Sequence, residues 1–427
     1  MSTGPQINHG FMPVSAAWAL AFALALPGGV MAADTPRAPG LLPTEIARPL
    51  LENNPSVRAA RAGLDVAKAE AQGLRASPYE WTARASGQQR RVQNQSRYDE
   101  WNAGIEHTFR LPAKASADRL LGNTEIAASE AAYGEALHEA ARELSALWVD
   151  WLAAERALTL ATASLKSFEE SVVAVETRKK AGDAAKLDLG TARAELVEQR
   201  RQENDAKTAA TVAWTRLSIE FPGLTRQPTT LPTPLAIESD TTAWRERILA
   251  ESDELKLAEV GFQKSQAQAA RARADRIPDP TVGVFTASEV GGREDIVGLT
   301  VSIPIPLPGS PRNARSAAAA ASTKTSRFEA DAIRRAQESE IACAFVSAIG
   351  AYESLQIAGE GAAAMRENAG LIQRAYTLGE AGLQDLLIAR RQAASAANNA
   401  LQAQTTALKA YYRLVIDAHW VWDLEHE

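Results

Sequence analysis

The chain has 427 residues, a formal net charge of −6 and an aromatic content of 6%. Because this charge balance supplies no basic patch, the sequence excludes a nucleic-acid-binding protein. The chain contains one cysteine, so an internal disulfide is excluded as well.

Residues 1–32 are predicted to form a secretory signal peptide. Val14 to Leu26 is an apolar run, residues 27–29 interrupt it, and residues 30–32 provide a small-residue cleavage site. The run is too short to span a bilayer as a helix. No Lys or Arg precedes Arg37, so a disordered apolar start or a misplaced initiation site stays open. Hydropathy predicts no further membrane helix, and on hydropathy alone the exported chain is periplasmic.

Helical periodicity begins after a Pro-rich linker. Apolar residues at spacings of three and four predict a helix from Thr44 to Ala76, with a local start at residues 53–56. A matching helix is predicted from Glu254 to about Arg276. Each helix ends at a proline, Pro78 or Pro278, and the residue pattern after that proline changes its period.

Two β-hairpins are predicted next, at residues 79–110 and 281–305. Both alternate apolar and polar residues, which is the pattern of strands with two different faces. Each strand has roughly 10 residues, the length of a transmembrane barrel strand. The apolar faces are expected to carry Tyr79, Trp81, Ala83, Ala85, Trp101, Ala103, Ile105 and Phe109 in the first hairpin, and Val282, Val284, Thr286, Val297, Leu299, Val301 and Ile303 in the second.

Aromatic residues favour a membrane location for these strands. Tyr79, Trp81 and Phe109 are placed at the base of the first hairpin, and Tyr98 and Trp101 near its tip, where two interfacial belts are expected. Four strands cannot close a barrel, and an open edge cannot exist in hydrocarbon, so several chains must share one barrel. Two chains give about 8 strands and three give about 12, and both numbers are allowed. Half-buried strands of a soluble sheet are the alternative.

A long helical hairpin is predicted after each β-hairpin, at residues 113–220 and 312–418. Both segments lack proline and are rich in residues that favour helix. At about 1.5 Å per residue, the helix from Arg312 to about Leu378 would be on the order of 100 Å long. An ordinary globular core does not need a helix of this length.

The turns of the two helical hairpins match at a fixed offset. Gly182 stands six residues before Asp188, and Gly379 stands six residues before Asp385. The two turns are 197 residues apart, close to half the chain, and such a self-match predicts an internal duplication. The predicted structural repeats are residues 33–230 and 231–427.

The sequence thus predicts a mainly α fold with a four-stranded β contribution, built from two repeats. This order of elements resembles the TolC family of outer-membrane efflux channels over nearly all of the chain after residue 32. The turn Tyr376-Thr-Leu-Gly379 followed by Asp385-Leu-Leu is similar to the family's periplasmic tip. Residues 301–308 with Arg312-Asn313 resemble the strand exit of the heavy-metal, Czc-type branch, although Arg315 stands where glycine is more usual.

The resemblance implies a homotrimer in the outer membrane, with a shared 12-stranded transmembrane β-barrel and long α-helical hairpins that form a periplasmic tunnel. It further implies a passive exit duct of a tripartite efflux system, without enzymatic activity or cofactor. The implied partners are a periplasmic adaptor protein, an RND-type inner-membrane pump and outer-membrane lipid, and heavy-metal cations are the expected cargo. The turns at Gly182 and Gly379 would dock the adaptor. An exported helical-hairpin adaptor or scaffold without a barrel is the alternative, and a type I secretion duct for polypeptides shares the architecture.

The family closes its periplasmic end with a Tyr, a basic residue and two acidic residues of the second-half turn. Tyr376 and Asp385 match this pattern and are candidates for the pore constriction, together with Asp188 of the first turn. The basic position holds Ala381 and the second acidic position holds Ile388, so fewer polar links are expected. Three copies of Asp385 around an axis would attract cations. Capping of the returning helices is the alternative role for both aspartates.

No catalytic constellation and no metal site are predicted. His138 lies on a predicted helix with no ligand three or four residues away, and the other histidines are scattered. Each lone histidine is expected to be solvated or to lie in the core.

Overall fold

The computed structural model of the chain describes residues 38–424, except residues 95, 228–229, 238–240 and 307–310. The predicted signal peptide, part of the first hairpin tip and residues 307–308 of the strand exit lie outside the described residues. The described elements confirm a mainly α fold with one four-stranded sheet. The boundaries expected for the two repeats stay predictions.

The helices and strands follow the same order in both halves of the chain. The first half consists of α1 (Thr44–Glu52), α2 (Pro55–Arg75), β1 (Thr82–Arg91), β2 (Arg97–Thr108), α3 (Pro112–Lys180) and α4 (Lys186–Glu220). The second half consists of α5 (Thr242–Glu251), α6 (Asp253–Ala274), β3 (Thr281–Glu289), β4 (Glu294–Ser302), α7 (Pro311–Leu378) and α8 (Leu383–Asp417).

The short helices begin where the sequence supplies caps. Asn54 Oδ1 accepts a hydrogen bond from the Ser56 backbone N–H at 2.9 Å, and Pro55 occupies the first turn of α2. Ser252 caps α6 in the same way, through a bond from the Leu255 N–H at 3.3 Å. Helix α5 was not predicted, because within its 10 residues only Ile248 is buried and the apolar period is weak.

The two longest helices are α3, with 69 residues, and α7, with 68. Each is on the order of 100 Å long, as the sequence predicts. The returning helices α4 and α8 have 35 residues each and pack along only part of their long partners. Helices α2 and α6 pack against the remainder of α3 and α7. Gly122 of α3 permits this contact, since a Cβ there would lie 3.0 Å from the Cβ of Ala71.

The strands form one antiparallel sheet in the order β1-β2-β3-β4, so β1 and β4 are edges. The register pairs Ala83 with Ile105, Ile105 with Val284, and Val284 with Leu299. Directly paired residues share a face of a sheet, so the predicted apolar residues of both hairpins lie on one common face. The residues between them form a mostly polar face, which also carries Phe285, Ala287 and Ile296.

The predicted aromatic belts need two corrections. Tyr98 pairs with Arg90 and lies three residues before Trp101 in the same strand. Because successive residues of a strand alternate between its two faces, Tyr98 lies on the face opposite Trp101, which is the polar face. The hydroxyl of Tyr79 donates a hydrogen bond to Asp279 Oδ2 at 2.7 Å, which places this ring in a polar junction below the sheet. Trp81 remains exposed, and its ring stacks on His107 with centroids 4.8 Å apart.

The main core lies where the short helices, residues 41–42 and residues 421–424 meet α3. The predicted buried stripe is present there, since Leu144, Leu147, Trp148 and Trp151 are all buried, while Leu158 is half-buried. Tyr411 and Tyr412 are buried in an adjoining cluster, as predicted. Cys343 is exposed in the single chain.

Helix α7 corrects the expectation that no further segment could cross a membrane. It is long and apolar enough to do so by length and composition. Part of its apolar surface has a packing role, because Ile341, Phe345 and Ala348 lie in a core cluster with Ile248 and Leu414.

Candidate functional site at the helical tips

The turns that join the long helices to the returning helices have the same geometry. Gly182 and Gly379 adopt φ angles of +82° and +80°, the left-handed conformation that glycine accepts without steric cost. The Asp183 N–H donates to the Arg178 carbonyl at 2.8 Å, and the Glu380 N–H donates to the Ala375 carbonyl at 2.9 Å. Both helices thus end in the same glycine-dependent cap. No atom lies within 4 Å of a Cβ built at either glycine, so both turns are open to solvent.

The aspartates that follow the glycines cap the returning helices. Asp188 Oδ2 accepts a hydrogen bond from the Ala185 backbone N–H at 3.1 Å. Asp385 Oδ2 accepts one from the Gly382 N–H at 3.0 Å. This satisfies a free donor at each helix start and places a negative charge at the positive end of the helix dipole. Asp385 remains exposed, so the cap leaves its charge accessible.

Tyr376 lies between the two helical hairpins and is only 7% exposed in the single chain. Its side chain packs in a tip cluster of apolar residues from both repeats, among them Phe168, Leu189 and Leu386. The guanidinium of Arg178 lies 5.0 Å from the centre of the Tyr376 ring, which is a cation–π distance. Hydrogen bonds to Asp183 and then to Tyr376 raise the pKa of Arg178. The last turn of α3 therefore holds the last turn of α7.

A second basic residue, Arg390 of α8, reaches across the same boundary. Its guanidinium donates to the Ser167 carbonyl and to the Ser171 hydroxyl, both on α3, and to the side-chain oxygen of Gln373 on α7. Burial lowers the pKa of Arg390, while the nearby Glu170 raises it. Neutral oxygens thus supply the direct hydrogen bonds to this half-buried cation.

The duplication explains why Arg390 has these partners. With the 197-residue offset, Arg390 corresponds to Arg193, and Gln373 corresponds to Glu176. In the first repeat Arg193 Nη2 pairs with Glu176 Oε1 at 2.6 Å on the exposed surface. In the second repeat glutamine replaces the glutamate, so the arginine gains no charge partner there and also binds α3.

Sequence reasoning missed both basic residues of the tip. The expected basic position holds Ala381, which packs against the tip cluster, and the expected second acidic position holds the partly exposed Ile388. Arg178 comes from the other repeat, and Arg390 lies beyond the turn. The signal that could have identified Arg390 is its match to Arg193 at the same offset as the turns.

A charged junction below the sheet joins the two repeats at the other end of the long helices. Lys114 Nζ lies 2.9 Å from Asp279 Oδ2 and 3.4 Å from Asp275 Oδ1. Arg110 and Arg271 both bind Asp118 of α3. Because α3 belongs to the first half and residues 271–279 to the second, this junction fixes the two hairpins relative to each other.

The polar face of the sheet carries ion pairs. Arg84 Nη2 lies 2.5 Å from Glu106 Oε1, and Arg90 contacts both Glu100 at 3.0 Å and Glu289 at 2.8 Å. The opposite face is apolar and exposed, with Val297 at 84% and Leu299 at 67%. An apolar face exposed on one side and charges on the other is the two-sided pattern of a barrel wall.

These features define a class of protein: a two-repeat chain in which an amphipathic sheet stands on helical rods, as in outer-membrane channels assembled from several chains. A family model described as outer membrane efflux protein matches residues 47–218 and, again, residues 244–415. The chain therefore belongs to the outer membrane efflux protein family. This confirms the predicted resemblance at the level of the TolC family, and the heavy-metal branch stays a prediction.

Solved structures share the fold. CusC superposes with a TM-score of 0.69 at 16% identity, covering 88% of this chain and 91% of that chain. VceC, an outer membrane protein of Vibrio cholerae, gives 0.70 at 15% identity, with 88% and 95% covered. The open-state MtrE outer membrane channel of Neisseria gonorrhoeae gives 0.64 at 18% identity, with 88% of each chain covered. No curated protein sequence matches the chain.

Proposed function

We propose that the protein is the outer-membrane exit duct of a tripartite efflux system. Three chains share one 12-stranded barrel, and their helical hairpins form a tunnel through the periplasm. The observation that carries this proposal is the sheet, whose apolar face is exposed and whose two edges have no strand partner among the described residues. An isolated sheet of this kind is unstable in lipid, and pairing β4 of one chain with β1 of the next removes every edge.

The barrel model assigns a direction to each face of the sheet. The face with Val297, Leu299 and Val301 meets lipid, and the face with Arg84 and Arg90 lines a water-filled lumen. Charged side chains are tolerated in the lumen of such barrels and costly on the lipid face. The apolar side chains that the long helices leave exposed, such as Val346 and Ile357 of α7, are assigned to contacts between neighbouring chains.

The helical tips form the gate of this duct. In the closed state Arg178 and Arg390 hold the α7–α8 hairpin against α3 of the same chain. Three copies of Asp385 lie around the axis and favour cations. Opening requires these links to break, so that the α7–α8 hairpin moves away from α3. Asp188 caps the neighbouring hairpin and contributes charge at the periphery of the same opening.

The two glycine turns are the docking sites for the periplasmic adaptor. Both turns are open, and each has an exposed leucine nearby, Leu187 in the first repeat and Leu378 in the second. Repetition of one turn geometry in both repeats gives each trimer about six similar sites, which suits an adaptor that binds in several copies.

Asparagine substitutions test the docking proposal. Asparagine tolerates the left-handed conformation, so Gly182→Asn and Gly379→Asn add a side chain to the docking surface while retaining the turn. We expect the channel to assemble normally while site-specific cross-linking to the adaptor falls at least tenfold. Gly261→Asn, at an exposed helical position with no atom within 4 Å of its Cβ, is the matched control and should cross-link normally. Equal cross-linking in all three variants contradicts docking at these turns.

Heavy-metal cations are the cargo that we propose, on the basis of the strand-exit sequence motif at residues 301–308 with Arg312-Asn313 and the exposed Asp385. Deletion of the gene is expected to increase sensitivity to divalent metal salts, and the intact gene should restore resistance. A deletion strain that is sensitive to drugs but resistant to metals would support the proposed duct and contradict heavy metals as its cargo. A deletion strain with normal resistance to both, although the pump and adaptor genes are expressed, would contradict the duct itself. Removal of residues 1–32 on export completes the proposal and is read from the N-terminus of the purified protein.

A further inference from the structure

Three buried side chains with metal-binding atoms lie close together in space, and all three are distant in sequence from the turns at the helical tips. They are His138 of α3, Asp253 at the start of α6 and His419 just after α8, and one ligand atom of each lies within 4.8 Å of the others. Their exposed fractions are 5%, 1% and 8%. His419 occupies the left-handed position that ends α8, with φ of 53°, where many helices have glycine. The two repeats thus contribute to one group.

Polar atoms in this group lack hydrogen-bond partners. Within the part of the chain that the structure describes, neither ring nitrogen of His419 has a partner, and Asp253 Oδ2 has none. The Glu251 carboxylate lies 4.0 Å from His419 Nδ1, too far for a hydrogen bond. Buried polar atoms without partners are rare in folded proteins, and a site for an ion is one established reason for them.

Asp417 fixes the orientation of the second histidine. His138 Nε2 lies 3.1 Å from Asp417 Oδ1, and the same oxygen accepts a hydrogen bond from Arg142 Nε at 2.8 Å. When Nε2–H donates to the carboxylate, Nδ1 retains the lone pair that can bind a metal. A carboxylate behind a histidine is the usual outer shell of a metal site.

One oxygen of the Asp253 carboxylate has no hydrogen-bond partner among the described residues. Lys256 Nζ lies 3.2 Å from Asp253 Oδ1, which leaves Oδ2 unpaired. A separate cavity of about 20 Å³ lies beside His138, is also lined by Ser252 and Asp417, and can hold one water molecule.

We propose that His138, Asp253 and His419 form a resident site for a divalent metal ion, with Zn²⁺ as the best-fitting ion and water as the fourth ligand. Two imidazoles and a carboxylate are a common ligand set for Zn²⁺ and for related borderline metals. Bonds of about 2.0–2.2 Å place tetrahedral ligand atoms about 3.4 Å apart, so atoms that now lie within 4.8 Å of one another would approach by up to about 1.4 Å. The ion would connect α3, α6 and the end of α8, and it is independent of any metal that passes through the duct.

The test is Zn²⁺ titration of the purified full-length protein in detergent after removal of metals with a chelator. We expect one Zn²⁺ per chain and an increase in thermal stability on binding. His419→Gln and Asp253→Asn should weaken binding at least tenfold. His107→Gln removes a histidine from the sheet, and Asp385→Asn removes the exposed carboxylate at the tip, so both controls should bind like the parent protein.

Co²⁺ provides a readout that does not depend on variants that fold. The parent protein with Co²⁺ should give the intense visible absorption of a four-coordinate ion with nitrogen ligands. Weak absorption of a six-coordinate aquo-ion would overturn the proposal, as would the absence of saturable Zn²⁺ binding. Binding that persists in His419→Gln and disappears in Asp385→Asn would assign the ion to the tip and overturn the proposal as well.

Discussion

At the scale of single residues, the tips of the two repeats differ in the partner of one equivalent arginine. The first repeat retains the exposed pair of Arg193 and Glu176, whereas the second has Gln373 opposite Arg390. A guanidinium without a carboxylate in hydrogen-bonding contact must find other acceptors when it is half-buried, and Arg390 finds them on α3. With glutamine in place of the glutamate, Arg390 keeps a bond within its own hairpin and adds bonds to the other hairpin.

Replacement of Arg390 tests this account of the gate. Arg390→Gln removes the charged donor to Ser167 and Ser171, and hydrogen bonds to charged groups contribute about 1.5–3 kcal/mol each. We expect the closed tip to be destabilised by a similar amount and the mean single-channel conductance of the purified protein in planar bilayers to increase.

The neighbouring arginine provides the control for this experiment. Arg391 Nη1 lies 3.3 Å from Glu195 Oε1, also between hairpins, but its side chain is 52% exposed. A pair whose guanidinium is half exposed to solvent contributes only about 0–1 kcal/mol, so Arg391→Gln should leave the conductance near that of the parent protein. Equal conductances for both variants would show that Arg390 does not hold the tip closed.

Single residues were predictable where local chemistry decides them. Gly182, Gly379, Asp188 and Asp385 stand out because a left-handed turn and a helix start demand particular residue types nearby in sequence. Arg178 over Tyr376 was not predictable, since the two come from different repeats and meet only through tertiary packing. The same holds for His138 and its distant partners, whose spacing in the chain contains no ligand pattern.

At the scale of elements, the sheet is amphipathic and its register fixes which residues share a face. Alternation in the sequence was sufficient to predict both hairpins and the apolar face, because every second residue of a strand lies on the same face of the sheet. It was not sufficient for Tyr79, whose backbone precedes β1 and whose ring turns to Asp279. Sequence periodicity also did not predict α5, because its few apolar residues, which pack against α7, do not recur at a clear helical spacing.

A pair of arginine substitutions on β4 distinguishes the two faces. Leu299→Arg puts a charge on the face assigned to lipid, and this should cost about 2–4 kcal/mol if the residue lies near the bilayer midplane. Thr300→Arg puts the same charge on the opposite, lumen-facing side and should be tolerated. The yield of heat-stable oligomer extracted from membranes measures both. Equal yields would favour a soluble sheet.

The junction between sheet and helices predicts a pH dependence. Burial raises the pKa of Asp279, but hydrogen bonds from Lys114, Tyr79 and the Leu111 N–H outweigh burial and lower it below its ordinary value of 3.8. A lowered folded-state pKa contributes stability above the ordinary pKa, and this stability is lost as the pH falls through the folded-state value. The folded protein should therefore tolerate mild acid and lose this contribution below about pH 4.

Lys114→Met tests the junction directly. Both Lys114 and Asp279 are buried, so removing the cation leaves an unpaired buried carboxylate at a cost of about 3–5 kcal/mol. Thermal denaturation should begin at a lower temperature at neutral pH, and the difference from the parent protein should shrink in acid, because protonation of Asp279 relieves the unpaired carboxylate. Lys409→Met breaks an exposed pair with Asp150 and should change the midpoint little. Identical denaturation profiles for the two variants would show that the junction does not stabilise the folded protein.

At the scale of the whole molecule, the chain is duplicated, and its single sheet is still not closed. Each repeat contributes two strands and one long helical hairpin, and two repeats still leave a sheet with open edges. The repeat was readable from the sequence because the two turns and the two proline-free segments recur at one offset. The number of chains in the barrel could not be read from the sequence, because four strands per chain allow either two or three chains. We propose three chains on the basis of the family membership.

The oligomeric state in detergent tests the central claim most directly. The protein should be recovered in the outer-membrane fraction, require detergent for extraction, and have the mass of three chains by sedimentation or mass photometry after correction for bound detergent. A monomer that is fully soluble in the periplasmic fraction would contradict a shared barrel, and with it the duct.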